Sequence, residues 1–357
     1  MRIRGRRAWL LCAAISVLSV DLAAAASLLR VHPRPSAVEA AAAGAVAPLN
    51  TVPPLPTTTV PPAPAAQLGA PPAAPPEPTT TTVPVAVTRP AAWSLAPYAG
   101  LGVWLDVYDW TSEFTKGSPR VQVADIDRMA DLGIQTLYIQ TAHRRSASDV
   151  IEPERLLPMI ERAHARGMAV VGWYLPMLEN TDVDLRRLLA AAALPIDGLG
   201  VDIESLAVGD VTERNRRLLE LSAGLRRNMG NKAISAITPD AVHLQVVNPS
   251  FWPAFPWPEL GATYNVIVPM AYWSIRKPEW KWGEKYAGEN IDRIRAATGR
   301  PDMPIHIAGG IADGVTLDDL AGMVRAIQSH AVLGGSLYDW NTSNPAQWDV
   351  LRALRIG

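Results

Sequence analysis

The chain has 357 residues with 33 basic against 34 acidic side chains, and a net charge of −1 gives no electrostatic footprint for nucleic acid or an anionic membrane surface. Its 32 prolines crowd the N-terminal part although 48% of all residues are hydrophobic, so unlike segments share one chain. The one cysteine, Cys12, sits in the leader, and the 6 histidines show no His-x-His or His-Glu-x-x-His spacing. Disulfides, cysteine nucleophiles and Cys-based zinc sites are therefore excluded from the remainder, and neither a metal nor a cofactor is expected.

Arg2, Arg4, Arg6 and Arg7 precede an apolar run from Ala8 to Val20, which Asp21 ends ahead of Ala23-Ala24-Ala25-Ala26. The run is shorter than the roughly 20 residues that span a bilayer, so residues 1–26 read as a signal peptide, with a retained membrane anchor as the alternative. Residues 27–97 are rich in Pro, Ala and Thr, with the near-repeat Thr57-Thr58-Thr59-Val60-Pro61 and Thr80-Thr81-Thr82-Val83-Pro84. Proline removes backbone donors, and too little apolar surface is present to offset ordering entropy; a disordered spacer is expected. The expectation is a protein that is secreted or held at the cell surface or wall.

From Tyr98 the pattern becomes apolar strands alternating with amphipathic helices. Expected strands are Gly102–Asp106, Thr136–Gln140, Ala169–Tyr174, Gly198–Ile203, Ala233–Ile237, Val266–Ala271, Pro304–Ala308 and Gly335–Tyr338. Expected helices are Val123–Asp131, Pro153–Arg166, Asp184–Ala193, Thr212–Met229, a short turn at Pro258–Leu260, Glu289–Ala297, Leu317–Ser329 and Pro345–Leu354. Gly133, Gly167, Gly230 and Gly299 stand where helix stops belong. Buried apolar strands separated by helices mean a parallel sheet. Eight such units over residues 98–357 fit an α/β chain folded as a (β/α)8 TIM barrel, for which about 250 residues is typical. A doubly wound open sheet would want a Gly-rich loop after the first strand, and Leu105-Asp106-Val107-Tyr108 offers none.

Active sites of such barrels lie at the carboxyl ends of the strands. Those ends supply Asp106 and Asp109, Gln140 and His143, Tyr174 and Glu179, Asp202 and Glu204, Thr238 and Asp240, Met270, Tyr272 and Trp273, Asp313, then Tyr338, Asp339 and Trp340. Alternation puts Asp202 and Glu204 on one face of the fourth strand with Gly200 behind them. Trp110, Trp252, Trp257, Trp273, Trp280, Trp282 and Trp340 all fall in loops after strands. One such tryptophan alone reads as a loop anchor; the set reads as a rim that stacks sugar rings.

Glycosidases normally need two carboxylates. The seventh strand ends in Ile307-Ala308-Gly309-Gly310-Ile311, with no acid before Asp313, so a pair of glutamates on strands four and seven is disfavoured. Glu204 is then the acid candidate, with Asp202 beside it to raise its pKa. Asp106 and Asp109 read equally as loop caps or as helpers. His143 with Arg144 and Arg145 reads as solvated rim charge or as a site for a substrate acid. His306 reads as a core histidine; Arg186, Arg187, Glu213, Arg214, Arg216 and Arg217 read as solvated helix faces.

Asp197-Gly198-Leu199-Gly200-Val201-Asp202-Ile203-Glu204 resembles the fourth-strand signature Asp-Gly-x-Asp-x-Asp-x-Glu of the family 18 glycoside hydrolases, the chitinase-like barrels. Met270-Ala271-Tyr272 is similar to their sixth-strand Met-x-Tyr, and Gly334-Gly335-Ser336-Leu337-Tyr338-Asp339-Trp340 to their eighth strand. The resemblance implies Glu204 as general acid/base and Asp202 and Tyr272 as holders of a substrate N-acetyl group, whose oxygen is the nucleophile. It also implies an indole floor, for which Trp340 is the candidate although it stands one place late. The signature's middle Asp is Gly200 here, and the Asp usual after the sixth-strand Tyr is Trp273.

The expected catalytic set is therefore Glu204, Asp202 and Tyr272. The expected substrate-binding set is Asp106, Asp109, Gln140, Tyr174, Met270, Trp273, Asp339 and Trp340. The expected partner is a polysaccharide or oligosaccharide, met by a monomer. This mechanism requires Asp202, Glu204, Tyr272 and Trp340 to line one pocket. Two alternatives remain open: a non-catalytic glycan-binding barrel, and a hydrolase of other sugars with Asp106 as nucleophile.

Overall fold

The computed structural model describes residues 94–229 and 232–357; the leader, the spacer up to residue 93 and the Gly230 helix stop lie outside the described residues. Eight parallel strands pair in sequential order and close on themselves: β1 (Gly100–Leu105), β2 (Thr136–Gln140), β3 (Ala169–Tyr174), β4 (Gly198–Asp202), β5 (Ala233–Pro239), β6 (Val266–Ala271), β7 (His306–Ile311) and β8 (Gly334–Tyr338). The helices that follow them are α1 (Val123–Asp131), α2 (Pro153–Ala165), α3 (Thr181–Ala192), α4 (Val211–Asn228), α5 (Trp257–Thr263), α6 (Gly283–Thr298), α7 (Leu317–Ser329) and α8 (Pro345–Leu351). This is a (β/α)8 barrel. Stop signals work as expected at Gly133, Gly167 and Gly299, whose φ angles of 84°, 72° and 67° are ones a side chain would resist.

Several boundaries differ from expectation, two of them for plain physical reasons. β7 runs three residues beyond expectation because Gly309 and Gly310 carry the strand through a bulge, where they had read as a stop. α6 starts at Gly283, where a side chain would collide with the Asp319 carbonyl; its two glycines had masked the first turns.

Side chains alternate between two cores. Leu101, Val103 and Leu105 of β1 and their counterparts on other strands pack outward against the helices. Trp104, Tyr138, Val171, Trp173, Val268, Met270 and Tyr272 fill the barrel interior. The closed end is plugged by Tyr98, from a single turn at Ala96–Tyr98. Its hydroxyl lies 3.1 and 3.0 Å from the carbonyl oxygens of Leu199 and Ala233, and a Cβ on Gly198 would come within 2.7 Å of it. His306 Nδ1 donates to the Tyr98 carbonyl at 2.9 Å, and its Nε2 meets Ser336 Oγ at 3.0 Å. Burial pushes this histidine down to about 4, so it is an uncharged core residue as expected.

Two arginines depart from the expected solvated faces. Arg187 on α3 is buried and donates to Tyr174 Oη and the Ser146 carbonyl. Arg214 on α4 is also buried, bonding the Val208 carbonyl and lying 4.5 Å over the Trp252 ring. Arg216 and Arg217 stay at the surface, paired with Glu213.

Candidate active site

β4 is built from small and branched residues in alternation. Leu199, Val201 and Ile203 anchor it outward. Gly198, Gly200 and Asp202 are left facing the interior. A Cβ at Gly200 would lie 2.7 Å from Ile237 Cδ1 and 3.3 Å from both Ser235 Oγ and Trp173 Cβ, so packed side chains already fill the space below Asp202. Asp202 is buried, and its Oδ1 has no hydrogen-bond partner among the described residues. Burial, and then the charge of Glu204, push its carboxyl well above the usual range. Glu204 is half-buried and pushed up to about 7 by burial. One face thus carries a carboxyl able to hold a proton near neutral pH beside a second acid.

Tyr272 follows β6 and faces the same space. Its hydroxyl is pushed well up by burial and then by the charges of Glu204, Asp202, Asp339 and Asp240, which identifies the acids around it. Its ring lies 6.0 Å from that of Tyr338, which lies 6.4 Å from Trp104. Trp104 stacks on Tyr138 at 4.3 Å and meets Trp173 edge-on at 6.0 Å. The mouth therefore rests on an aromatic layer supplied by strand interiors.

A second acidic group closes the β1–β8 side. Carboxylate oxygens of Asp106, Asp109 and Asp339 lie within 4.8 Å of one another, and all three residues are buried. They are close enough to hold a cation, but protein donors already engage each one. Asp106 accepts from Tyr108 N at 2.7 Å and from Tyr338 Oη at 2.8 Å. Asp109 accepts from Asp106 N at 2.9 Å and from the Asn341 amide. Asp339 accepts from Thr342 N at 2.9 Å and Thr342 Oγ1 at 3.0 Å. Burial, then mutual repulsion, hold Asp339 up at about 6 and Asp109 well above the usual range. Asp106 is also raised, chiefly by burial. This is a cluster of hydrogen-bonded acids whose burial favours their protonated forms.

The structure thus brings together Asp202, Glu204, Tyr272 and Asp339, with Asp106 and Asp109 beside them and Met270 in the interior below. Other members of the expected set are placed elsewhere. Gln140 is buried with its amide spent on Val107 N and the Ala142 carbonyl, so it shapes loops. Tyr174 points outward to Asp184 at 2.7 Å; the inward residue is Trp173, because Trp173 pairs in register with Gly200. Trp273 is 1% exposed in the outer core, against Gly309 and Gly310. Trp340 also packs outward, 5.9 Å from Trp348 of α8, so the requirement that it share the pocket is not met. The interior ring of that segment is Tyr338.

The expected tryptophan rim is likewise corrected. Trp110, Trp252 and Trp257 are buried anchors, Trp252 Nε1 donating to Asn215 Oδ1 at 2.7 Å; of the expected rim only Trp282 is well exposed, at 67%. Indoles after strands were cheaper to bury between barrel and helices than to leave in water. Asp240 is engaged by Arg276 at 2.9 Å and Tyr286 at 2.8 Å, while Glu179 and Asp313 are exposed. Sequence reasoning missed Trp104 and Trp173 because every residue of β1 and nearly every one of β3 is buried, leaving parity unmarked. Cross-strand register with Gly200 is the signal that finds Trp173.

No family sequence model and no curated protein sequence matches the chain. Its fold does match solved structures. A family 18 glycoside hydrolase chitinase from Cycas revoluta, in complex with (GlcNAc)3, superposes with a TM-score of 0.52 at 11% identity, over 72% of this chain and 99% of that one. The spore cortex-lytic enzyme SleL of Bacillus megaterium gives 0.51 at 9% identity, over 72% and 74%. An endo-1,4-beta-mannanase from Rhizomucor miehei gives 0.50 at 8% identity, over 68% and 86%. The chain is a (β/α)8 barrel similar in fold to chitinase-like and other glycoside hydrolases.

Proposed function

We propose that the barrel is an exported glycoside hydrolase acting on an N-acetylhexosamine-containing glycan of a cell wall or the environment. The observation that carries this reading is the Glu204 carboxyl, pushed up to about 7, beside a buried Asp202 whose Oδ1 has no donor among the described residues. Glu204 gives its proton to the glycosidic oxygen as the bond to the anomeric carbon breaks. The acetamido oxygen attacks that carbon, with its N–H held by Asp202 and its carbonyl by Tyr272. Water, deprotonated by Glu204, then opens the cyclic intermediate and restores the acid. Trp340, which this mechanism was expected to need, is turned to the outer layer, so the reading stands on Tyr338, the interior ring of that segment, serving as the floor in its place. The basic and apolar leader supports export, and the Pro-rich spacer supports display at a surface. Replacing Glu204→Gln should lower hydrolysis of chitin oligosaccharides by at least about 10²-fold with fold and binding retained. Unchanged turnover overturns the assignment.

A second reading, a non-catalytic glycan-binding barrel, is favoured by Gly200, since Ile237 and Trp173 pack where an inner acid would relay protons to Asp202. Binding of chitin without release of reducing ends by the unmodified protein would select it.

A further inference from the structure

We propose that the loop after β2 is a subsite for a carboxylate-bearing sugar of the glycan, held by Arg144 and Arg145; the proposal rests on the glycan-binding reading of the mouth. The loop is fixed before it reaches solvent. Gln140 Nε2 donates to the Ala142 carbonyl at 3.1 Å, Arg145 N to His143 Nδ1 at 3.2 Å, and Ser146 N to the His143 carbonyl at 3.1 Å. From this frame Arg144 and Arg145 project, both exposed and neither in an ion pair among the described residues. The neighbouring charges are already matched: Asp149 by Arg186 at 2.8 Å and Glu152 by Arg155 at 3.3 Å. Glu113, the remaining acid beside the loop, accepts from Ser146 Oγ at 3.1 Å.

A third guanidinium lies beneath. Arg187 is 8% exposed, and its Nε has no hydrogen-bond partner among the described residues. Its Nη2 donates to the Ser146 carbonyl at 2.8 Å, which fixes it under the loop. His143 registers all three cations: burial first, then Arg145, Arg144 and Arg187, hold its ring down at about 4. The ring is therefore neutral at physiological pH, and the positive charge of the patch belongs to the guanidinium groups.

The patch is continuous with the mouth. Phe114 and Tyr108 stand edge-on to His143 at 4.5 and 6.2 Å, and the backbone of Tyr108 donates to Asp106. These rings offer an apolar wall for a sugar face, and the arginines offer planar donors for a carboxylate. The geometry also answers an electrostatic problem. The centre of the mouth is lined by acids, which repel an anionic sugar, whereas the β1–β2 flank attracts one. A glycan with acidic groups on some sugars can thus place a neutral residue at Glu204 and a charged one on this loop.

The test compares chitin oligosaccharides with carboxymethylated chitin oligosaccharides of equal length, using the full chain and an Arg144→Gln/Arg145→Gln variant. Binding and reducing-end release are measured at low and high salt. The expected result is roughly three- to tenfold tighter binding of the carboxymethylated oligomer at low salt, lost at high salt and in the variant. Cleavage of the neutral oligomer should be the same in both proteins. Equal binding of the two oligomers, or a preference that survives in the variant, overturns the subsite while leaving the glycosidase reading intact. An arginine-dependent preference without cleavage of either oligomer supports the subsite and overturns the glycosidase reading. Failure to bind either oligomer overturns both.

Discussion

Burial raises the pKa of both groups of acids at the mouth of the barrel, and hydrogen bonding sets the groups apart. On the β1–β8 side, Asp106, Asp109 and Asp339 each accept at least two protein donors. On the β4 side, Asp202 Oδ1 and the Glu204 carboxyl accept none among the described residues. An acid with donors is paid back for desolvation by its own fold. An acid without them carries a desolvation penalty of about 1–3 kcal/mol that a donor from water or a ligand relieves. On the proposed reading, the contrast separates acids that shape the mouth from acids that would act in it.

The comparison breaks most sharply if activity follows the wrong group. Replacing Asp202→Ala should lower kcat/KM on chitin oligosaccharides by about 10²-fold or more with stability nearly unchanged. Lost stability with full turnover would place Asp202 among the shaping residues. The mirror experiment is Asp109→Ala, which strands the Asp106 amide and the Asn341 side chain. It should destabilise the fold by about 2 kcal/mol in urea unfolding and change kcat/KM less than about tenfold. A larger catalytic loss would transfer the chemistry to the donor-rich side.

The smallest effect is one of pH. Glu204 titrates from 4.5 in model compounds to about 7 in the fold, so its stabilising contribution is full below 4.5 and disappears as pH rises through about 7. Glu204→Gln has no such proton to lose. It should exceed the parent in stability by about 1–2 kcal/mol near pH 8, after discounting for its partial exposure, with the gap closing near pH 5. A gap independent of pH would show that Glu204 is not perturbed by its surroundings.

Much of this architecture was legible in the chain. β2, β3, β6, α1 and α7 coincide with their expected bounds because apolar runs, caps and glycine stops agree there. The Asp202–Glu204 pair was legible because alternation at the end of β4 is a local property. What was hidden depended on which face a wholly apolar strand presents. Tyr174 and Trp173 are neighbours of similar chemistry, and only pairing with Gly200 assigns Trp173 inward. Trp340 misled for a related reason, since after Tyr338 the chain leaves the strand and directs its indole toward α8. The donors that distinguish the two acid groups come from residues as far apart in sequence as Asp106 and Tyr338, which local pattern does not join.

The Tyr98 plug fixes more than the floor of the barrel. It ties the entry of the chain to Leu199, Ala233 and His306 at the closed end, and Ile356 is tied there too, exchanging hydrogen bonds with Gln135 ahead of β2. Both ends of the described domain thus emerge on the side away from Glu204. Fusions, tags or solid supports joined at either end of the described domain would leave the mouth of the barrel clear, so the barrel is suited to display without redesign of its loops.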